Sequence, residues 1–199
     1  IISYSILESY DYIEMKLFFQ TIFKEIFKSD NYSANRYFWI ELKRFIDSSN
    51  VGSTFNLLES LVVLKERESL IVYDSIKIGN IDNKRIRVLD KDNWGLGRIS
   101  TVENIDRGLN SKFECFVSHS SYKKGIYLRS WKHGDRVELS SGKHKKVSDI
   151  FIDAKVPLFR KKIHPILEDS NNEIVWIPGL FDKNRFSQAN DRILIKWEE

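Results

Sequence analysis

The 199-residue chain lacks the residues that several familiar chemistries need. It has one cysteine, Cys115, so no internal disulfide can form. The expectation is a reducing compartment, with Cys115 as a small apolar filler. Its nine glycines include no adjacent pair, and there is no Gly-x-Ser-x-Gly elbow, no His-Glu-x-x-His and no Walker lysine loop. Gly95-Leu96-Gly97 follows no strong strand and opens no obvious helix, so it makes a poor phosphate cradle. No apolar run approaches the roughly 18 residues a membrane helix needs. The first residues lack a signal-peptide layout, and the expected location is cytoplasmic with no membrane partner. The chain starts at Ile1-Ile2 without an initiator Met, which predicts a piece of a longer protein.

Hydrophobic residues at 42% and charged residues at 30% suit a domain that buries a core. The net charge of +4 is unevenly spread. Between Ser120 and Pro165 there are twelve Lys and Arg against four Asp and Glu, and the remainder holds twenty against twenty-four. A basic segment in an otherwise mildly acidic chain is the footprint of a polyanion partner. His119, His133, His144 and His164 lie in or beside the same segment, at spacings that fit no metal motif, so no metal is expected.

The predicted organisation is α+β: a helical region with a β-hairpin over 1–74, a β-rich connection over 75–118, and a small α/β domain with a mixed or antiparallel sheet over 119–199. Ile13, Leu17, Phe18, Ile22, Ile26 and Phe27 recur at helical spacing and predict a core-facing stripe. Asp30-Asn31 breaks it, and Ser33 is a candidate cap for a helix over 34–46 with Phe38, Trp39, Leu42, Phe45 and Ile46 on its apolar face. Such aromatic stripes are far more often core than nucleobase stacks. Ser60–Leu64 and Ser69–Tyr73 read as a hairpin. Ile76–Ile78, Arg85–Leu89, Arg98–Val102 and Phe113–Val117 read as a small meander, punctuated at Gly79-Asn80, Asp82-Asn83, Asp92-Asn93 and Leu109-Asn110. Beyond it come a strand at Ile126–Arg129, a helix from Ser148 to about Ala154 and a short helix starting at Pro157, a residue suited to the first helical position. Strands at Pro165–Glu168, Glu173–Ile177 and Arg192–Trp197 complete an α/β sandwich.

The stretch Gly125 to Pro157 concentrates cations around a turn. Arg129, Lys132 and Arg136 flank His133-Gly134-Asp135, where Gly134 can take the positive φ that a Cβ disfavours. The chain then reads as loop, and Lys143, His144, Lys145 and Lys146 precede Val147-Ser148-Asp149. Ser148 is a candidate N-cap, and the free N–H groups of a helix there would suit an oxyanion such as a backbone phosphate. Equally, Asp149 can satisfy the dipole and the lysines can be a solvated face. Arg160 and Lys161, on the second helix, extend the basic set if the two helices are neighbours. Trp176, in an apolar strand, reads as core; Trp131, beside the turn, fits either core or a base stack.

Leu128-Arg129-x-Trp131-Lys132-x-Gly134-Asp135-Arg136, then Lys145-Lys146-Val147-Ser148-Asp149-x-Phe151-Ile152-Asp153-x-Lys155-Val156-Pro157, then Glu173-Ile174-Val175-Trp176-Ile177-Pro178-Gly179 with Arg185-Phe186, resemble in order and spacing the C-terminal domain of bacterial tRNA(Ile)-lysidine synthetases. One departure is His133, where that family commonly has proline. The order of helices then hairpin upstream resembles the helical domain preceding that last domain.

The resemblance implies a parent ligase that uses ATP with Mg to activate the wobble cytidine of an isoleucine tRNA and attach lysine. The Ser-Gly-Gly-x-Asp-Ser loop that holds ATP in that family is absent here, so no cofactor and no independent catalysis are expected of this chain. Ser148, His144 and Asp149 lie too close together on one cap to form the usual hydrolytic triad. The expected role is tRNA binding by the phosphate backbone on the acceptor-stem side, through Arg129, Lys132, Arg136, Lys145 and Lys146 as motif positions and Arg160 and Lys161 by charge placement. The competing role is structural: a homodimer interface or a support for the parent's catalytic domain.

Overall fold

The computed structural model describes residues 1–25, 34–82, 84–103, 108–183 and 192–199. The chain is α+β and divides into two units, Ile1–Ser75 and Ile76–Glu199. Ile26, Phe27, Asp30-Asn31, Ser33, Asn83 and Arg185-Phe186, named in the sequence analysis, lie outside the described residues.

In the first unit, β1 (Ile2–Ser3) and α1 (Tyr4–Leu7) lead into α2 (Tyr12–Glu25). Asp11 and Glu14 start α2 as a capping box: Asp11 Oδ1 accepts from the N–H groups of Ile13 and Glu14, and Glu14 Oε2 accepts from the N–H of Asp11. Met15, Phe19 and Phe23 are the buried residues of α2; of the expected stripe, Phe18 and Ile22 pack half-buried against the same core, whereas Ile13 and Leu17 are exposed. The helix is turned so that Met15, Phe19 and Phe23 face inward with Phe18 and Ile22 flanking them, which removes the most aromatic surface from water.

Helix α3 (Arg36–Ser48) is capped by Asn35, whose side chain accepts from Phe38 N–H, and buries Trp39, Leu42 and Ile46 as expected. Strands β2 (Thr54–Asn56), β3 (Leu61–Lys65) and β4 (Ser69–Asp74) join β1 in an antiparallel sheet of order β1-β4-β3-β2. The helices pack on it through one core that includes Phe19, Trp39, Leu42, Val63 and Leu70.

Helix α4 (Ser75–Asp82) starts on the last residue of the first unit and continues into the second, so Ile76–Ile78 is helical, not the expected strand. Ser75 donates both its N–H and its hydroxyl to Ser60 O, turning the chain out of β4, while Ile81 packs on the core below. This tertiary context outweighs the strand preference of the isoleucines. Then follow β5 (Arg85–Arg87), β6 (Lys91–Trp94), β7 (Gly97–Val102), β8 (Glu114–Ser118), α5 (His119–Lys124) and β9 (Ile126–Ser130). Asp92-Asn93, expected as punctuation, sits inside β6. Gly95-Leu96 is the two-residue loop joining β6 to β7, with Gly95 at φ 56°.

Next come β10 (Arg136–Glu138), β11 (His144–Lys146), α6 (Val147–Asp153), α7 (Leu158–Ile163), β12 (Pro165–Asp169), β13 (Ile174–Ile177), β14 (Phe181–Asp182) and β15 (Arg192–Glu198). Two larger antiparallel sheets result, of order β14-β13-β12-β9-β5 and β6-β7-β15-β8, in addition to the two-stranded pair β10-β11. Strand β15 lies between β7 and β8. Alternation explains the layering. Ile126 and Leu128 of β9 and Leu167 of β12 join Ile99, Ile193, Ile195 and Trp197 in one core, while Ile166 on the opposite face joins Val147 and Phe151 of α6. Cys115 and Trp176 are core residues, as expected. Among the described residues no helix is long and apolar enough to cross a membrane.

Candidate nucleic-acid interface

The cationic stretch folds into a tight turn followed by a small hairpin. Asp135 closes the turn twice: its N–H donates to Lys132 O at 3.1 Å, and its Oδ2 accepts from Lys132 N–H at 2.6 Å. Gly134 has φ 96°, the left-handed conformation that this four-residue closure requires. Residues expected as loop after Arg136 form the antiparallel pair β10 and β11, with Arg136 opposite Lys146, Val137 opposite Lys145 and Glu138 opposite His144. The sequence hides this hairpin because its outward residues are charged and only Val137 is a clear inward anchor.

Period-2 alternation sends Val137 into the core and leaves Arg136 and Lys146 exposed on the other face. Like charges directly opposed across a ladder repel. Neither Arg136 nor Lys146 has an ion-pair partner among the described residues. Glu138, two residues along the same face, is engaged by Lys183 at 3.4 Å, which also binds Glu173 at 2.9 Å. Lys132, exposed at the start of the turn, likewise has no ion-pair partner among the described residues.

The other expected contacts are placed differently. Lys145 points back to Asp153 at 2.6 Å, and Arg160 binds Glu199 at 3.0 Å, both in largely solvated pairs. Pairs of this kind contribute about 0–1 kcal/mol, so these cations can exchange partners at little cost. Lys161 lies in the last turn of α7, half-buried, where a cation also complements the helix dipole.

Arg129 is internal. Its side chain is 8% exposed, Nε donates to Glu168, and the two terminal nitrogens donate to the two oxygens of Asp135 at 2.8 and 3.1 Å. Burial opposes its charge, but the hydrogen bonds and charges of Asp135 and Glu168 outweigh that, and the guanidinium pKa is raised. An arginine so enclosed does not present itself to a phosphate, so the expectation of a direct contact at Arg129 gives way to an internal role.

The helix-start expectation also changes. The N-cap of α6 is Lys146, not Ser148, and makes no side-chain cap. Ser148 instead donates its hydroxyl to Asp149, and Val147 N–H is taken by Asp135 O at 3.0 Å. Pro157 is the residue before α7, one position earlier than expected. Trp131 is half-buried and meets the edge of Phe151 at 5.6 Å, so its ring belongs mostly to the core. His164 donates from Nε2 to Pro178 O at 3.0 Å, and burial lowers its pKa. No group of three His, Cys, Asp or Glu among the described residues could hold a metal ion.

Residues 126–198, from β9 to the end of β15, match the family model described as the TilS substrate C-terminal domain. That segment belongs to the TilS C-terminal domain family. Among curated relatives, the tRNA(Ile)-lysidine synthase of Bacillus licheniformis is 43% identical over 79 residues, covering 37% of this chain and 16% of that protein. The tRNA(Ile)-lysidine synthase of Oceanobacillus iheyensis is 35% identical over 105 residues, covering 50% and 22%. A bifunctional protein TilS/HprT of Listeria innocua is 25% identical over 173 residues, covering 79% and 25%.

A solved structure titled as the TilS C-terminal domain aligns with a TM-score of 0.45 at 29% identity, covering 51% of this chain and 83% of that one. This chain therefore spans between 16% and 25% of the length of these curated relatives. The turn, the hairpin and the Arg129 cluster all fall within the TilS C-terminal segment, apart from Arg85, which reaches the cluster from β5.

Proposed function

We propose that this chain is the tRNA-binding C-terminal portion of a tRNA(Ile)-lysidine synthetase, holding an isoleucine tRNA by its phosphates while a catalytic region outside this chain performs the ATP-dependent ligation of lysine. Lys132, Arg136 and Lys146 form the centre of the grip. Lys145, Arg160 and Lys161 extend it by releasing weak pairs or rotating outward. These contacts position the RNA without reading its bases, and the acceptor-stem side is the surface such a backbone grip suits. ATP and Mg belong, in this reading, to the catalytic region.

The observation that carries the reading is the directly opposed pair Arg136 and Lys146, exposed and without a carboxylate partner among the described residues. A folded domain that keeps two cations face to face gives up a little stability. A polyanion that sits between them recovers it.

Binding of an isoleucine tRNA transcript across a salt series tests this. If about five cations meet phosphates, log K falls against log salt with a slope near −4 to −5. Arg136→Glu with Lys146→Glu should cut both affinity and slope and leave self-association unchanged. No binding at low salt overturns the reading, and loss of self-association in the double variant moves the assignment to the structural, dimer-forming role.

A further inference from the structure

The geometry points to Arg129 as the positioning residue of this grip: it touches no RNA, and it fixes the turn that aims Lys132 and Arg136. The inference rests on the proposed phosphate grip and adds the device that sets its shape. Arg129 stands on β9, within the five-stranded sheet, and is directly opposite Arg85 on one side and Ile166 on the other. Glu168, 2% exposed, accepts from both arginines, from Arg85 Nε at 2.7 Å and from Arg129 Nε. The guanidinium of Arg129 is thereby held in one plane against the sheet, and its far edge faces the turn.

That edge meets Asp135 as a fork. Two nitrogens reach two carboxylate oxygens, and Nη1 also donates to Ser130 O at 2.8 Å. The same carboxylate accepts the N–H of Lys132, and the Asp135 carbonyl accepts the N–H of Val147. Asp135 is therefore a junction between the sheet, the front of the turn and the end of the hairpin. Arg136 follows it directly, and Lys146 directly precedes Val147. A change in the Arg129–Asp135 plane tilts Lys132 and Arg136 together, the two proposed phosphate contacts on the turn itself. Lysine cannot replace arginine here, because one ammonium offers neither the fork nor the fixed plane that Glu168 and Asp135 share.

The test uses the whole 199-residue chain and the same tRNA salt series, with Arg129→Lys, Asp135→Asn and Arg85→Met. Measurements are made where circular dichroism shows each variant folded. Arg129→Lys and Asp135→Asn should each lower the magnitude of the salt slope by about 2, as two cations lose their aim. Arg85→Met, which removes the other guanidinium on Glu168 without touching the turn, should leave the slope unchanged. Should Arg129→Lys fail to fold, Asp135→Asn decides alone, since it leaves the Arg129–Glu168 pair in place.

An unchanged slope in Asp135→Asn, with only a lower denaturation midpoint, overturns the inference and leaves Arg129 a purely structural ion pair. An equal loss of slope in Arg85→Met also overturns it, because the whole sheet rather than the fork would then set the grip. Absence of binding by the unaltered chain is a different result: it removes the phosphate grip itself.

Discussion

Among the described residues of the second unit, two cross-strand pairs of cations face each other. Arg85 and Arg129 face each other across β5 and β9, and Arg136 and Lys146 face each other across β10 and β11. The first pair has the buried Glu168 donated to by both members, with Asp135 on the outer side of Arg129 and the ring of Tyr127 3.6 Å beneath Arg85. The second pair has no carboxylate partner among the described residues. The fold can therefore neutralise opposed cations where it needs to. The pair at the rim of the turn, Arg136 and Lys146, is left without such an anion among the described residues.

The sharpest way to break the comparison is to remove the anion that the first pair relies on. Glu168→Gln leaves two guanidiniums facing each other with one buried, and should cost about 3–5 kcal/mol of stability, read as a lower denaturant midpoint at unchanged slope. Arg85→Met tests the outer half of the same pair. Its side chain is 40% exposed and Arg129 remains to satisfy Glu168, so the expected loss is only about 1 kcal/mol. A loss as large as that of Glu168→Gln would mean that the two arginines are not inner and outer members at all.

His164 gives a pH test on the same unit. Its pKa is lowered from the ordinary 6.5, first by burial, so below that value the unfolded chain binds a proton that the folded chain resists. The stability it supports is complete above pH 6.5 and declines as pH falls from there through the lowered folded value. His164→Gln, which can still donate to Pro178 O, should flatten this part of the thermal midpoint against pH profile. A profile identical to that of the unaltered chain would remove His164 as its source.

The smallest effect lies at the rim. Lys146→Glu turns a repelling pair into an attracting one and should raise stability by about 0.2–1 kcal/mol at low salt, with the gain fading as salt is added. A loss of stability would show that some group already neutralises the pair, and the contrast with Arg85 and Arg129 would fail.

Periodicity made several elements legible. Trp39, Leu42 and Ile46 on α3, the β3–β4 hairpin, and strands β9, β12 and β13 followed from hydrophobic pattern and turn residues. Helix α2 was legible as a helix but its inward face only in part: Phe18 and Ile22 pack on the core, while Met15, Phe19 and Phe23 take the centre that Ile13 and Leu17 were expected to share, a choice that only packing makes. The basic turn was legible from Gly134 and its flanking cations. The fate of Arg129 was not, since its partners stand 6 and 39 positions away and no local spacing joins Arg129 to Glu168. The β10–β11 hairpin was hidden for the reason that gives it interest: a strand whose outward face is all charge looks like a loop.

The place of β15 has a consequence for how this unit comes into being. Residues 192–198 form an interior strand, hydrogen-bonded to β7 on one side and to β8 on the other. During synthesis β7 and β8 therefore leave the ribosome with unsatisfied edges and wait for a strand encoded roughly ninety residues after β7, a long-range closure of the kind that slows folding. Trp197 must then slide so close to Gly97 that a Cβ there would stand 2.3 Å from its ring. Strand β15 emerges after both of its neighbours and joins them into one sheet, and a chain cut short before residue 192 exposes the edges of β7 and β8 to pairing with other chains.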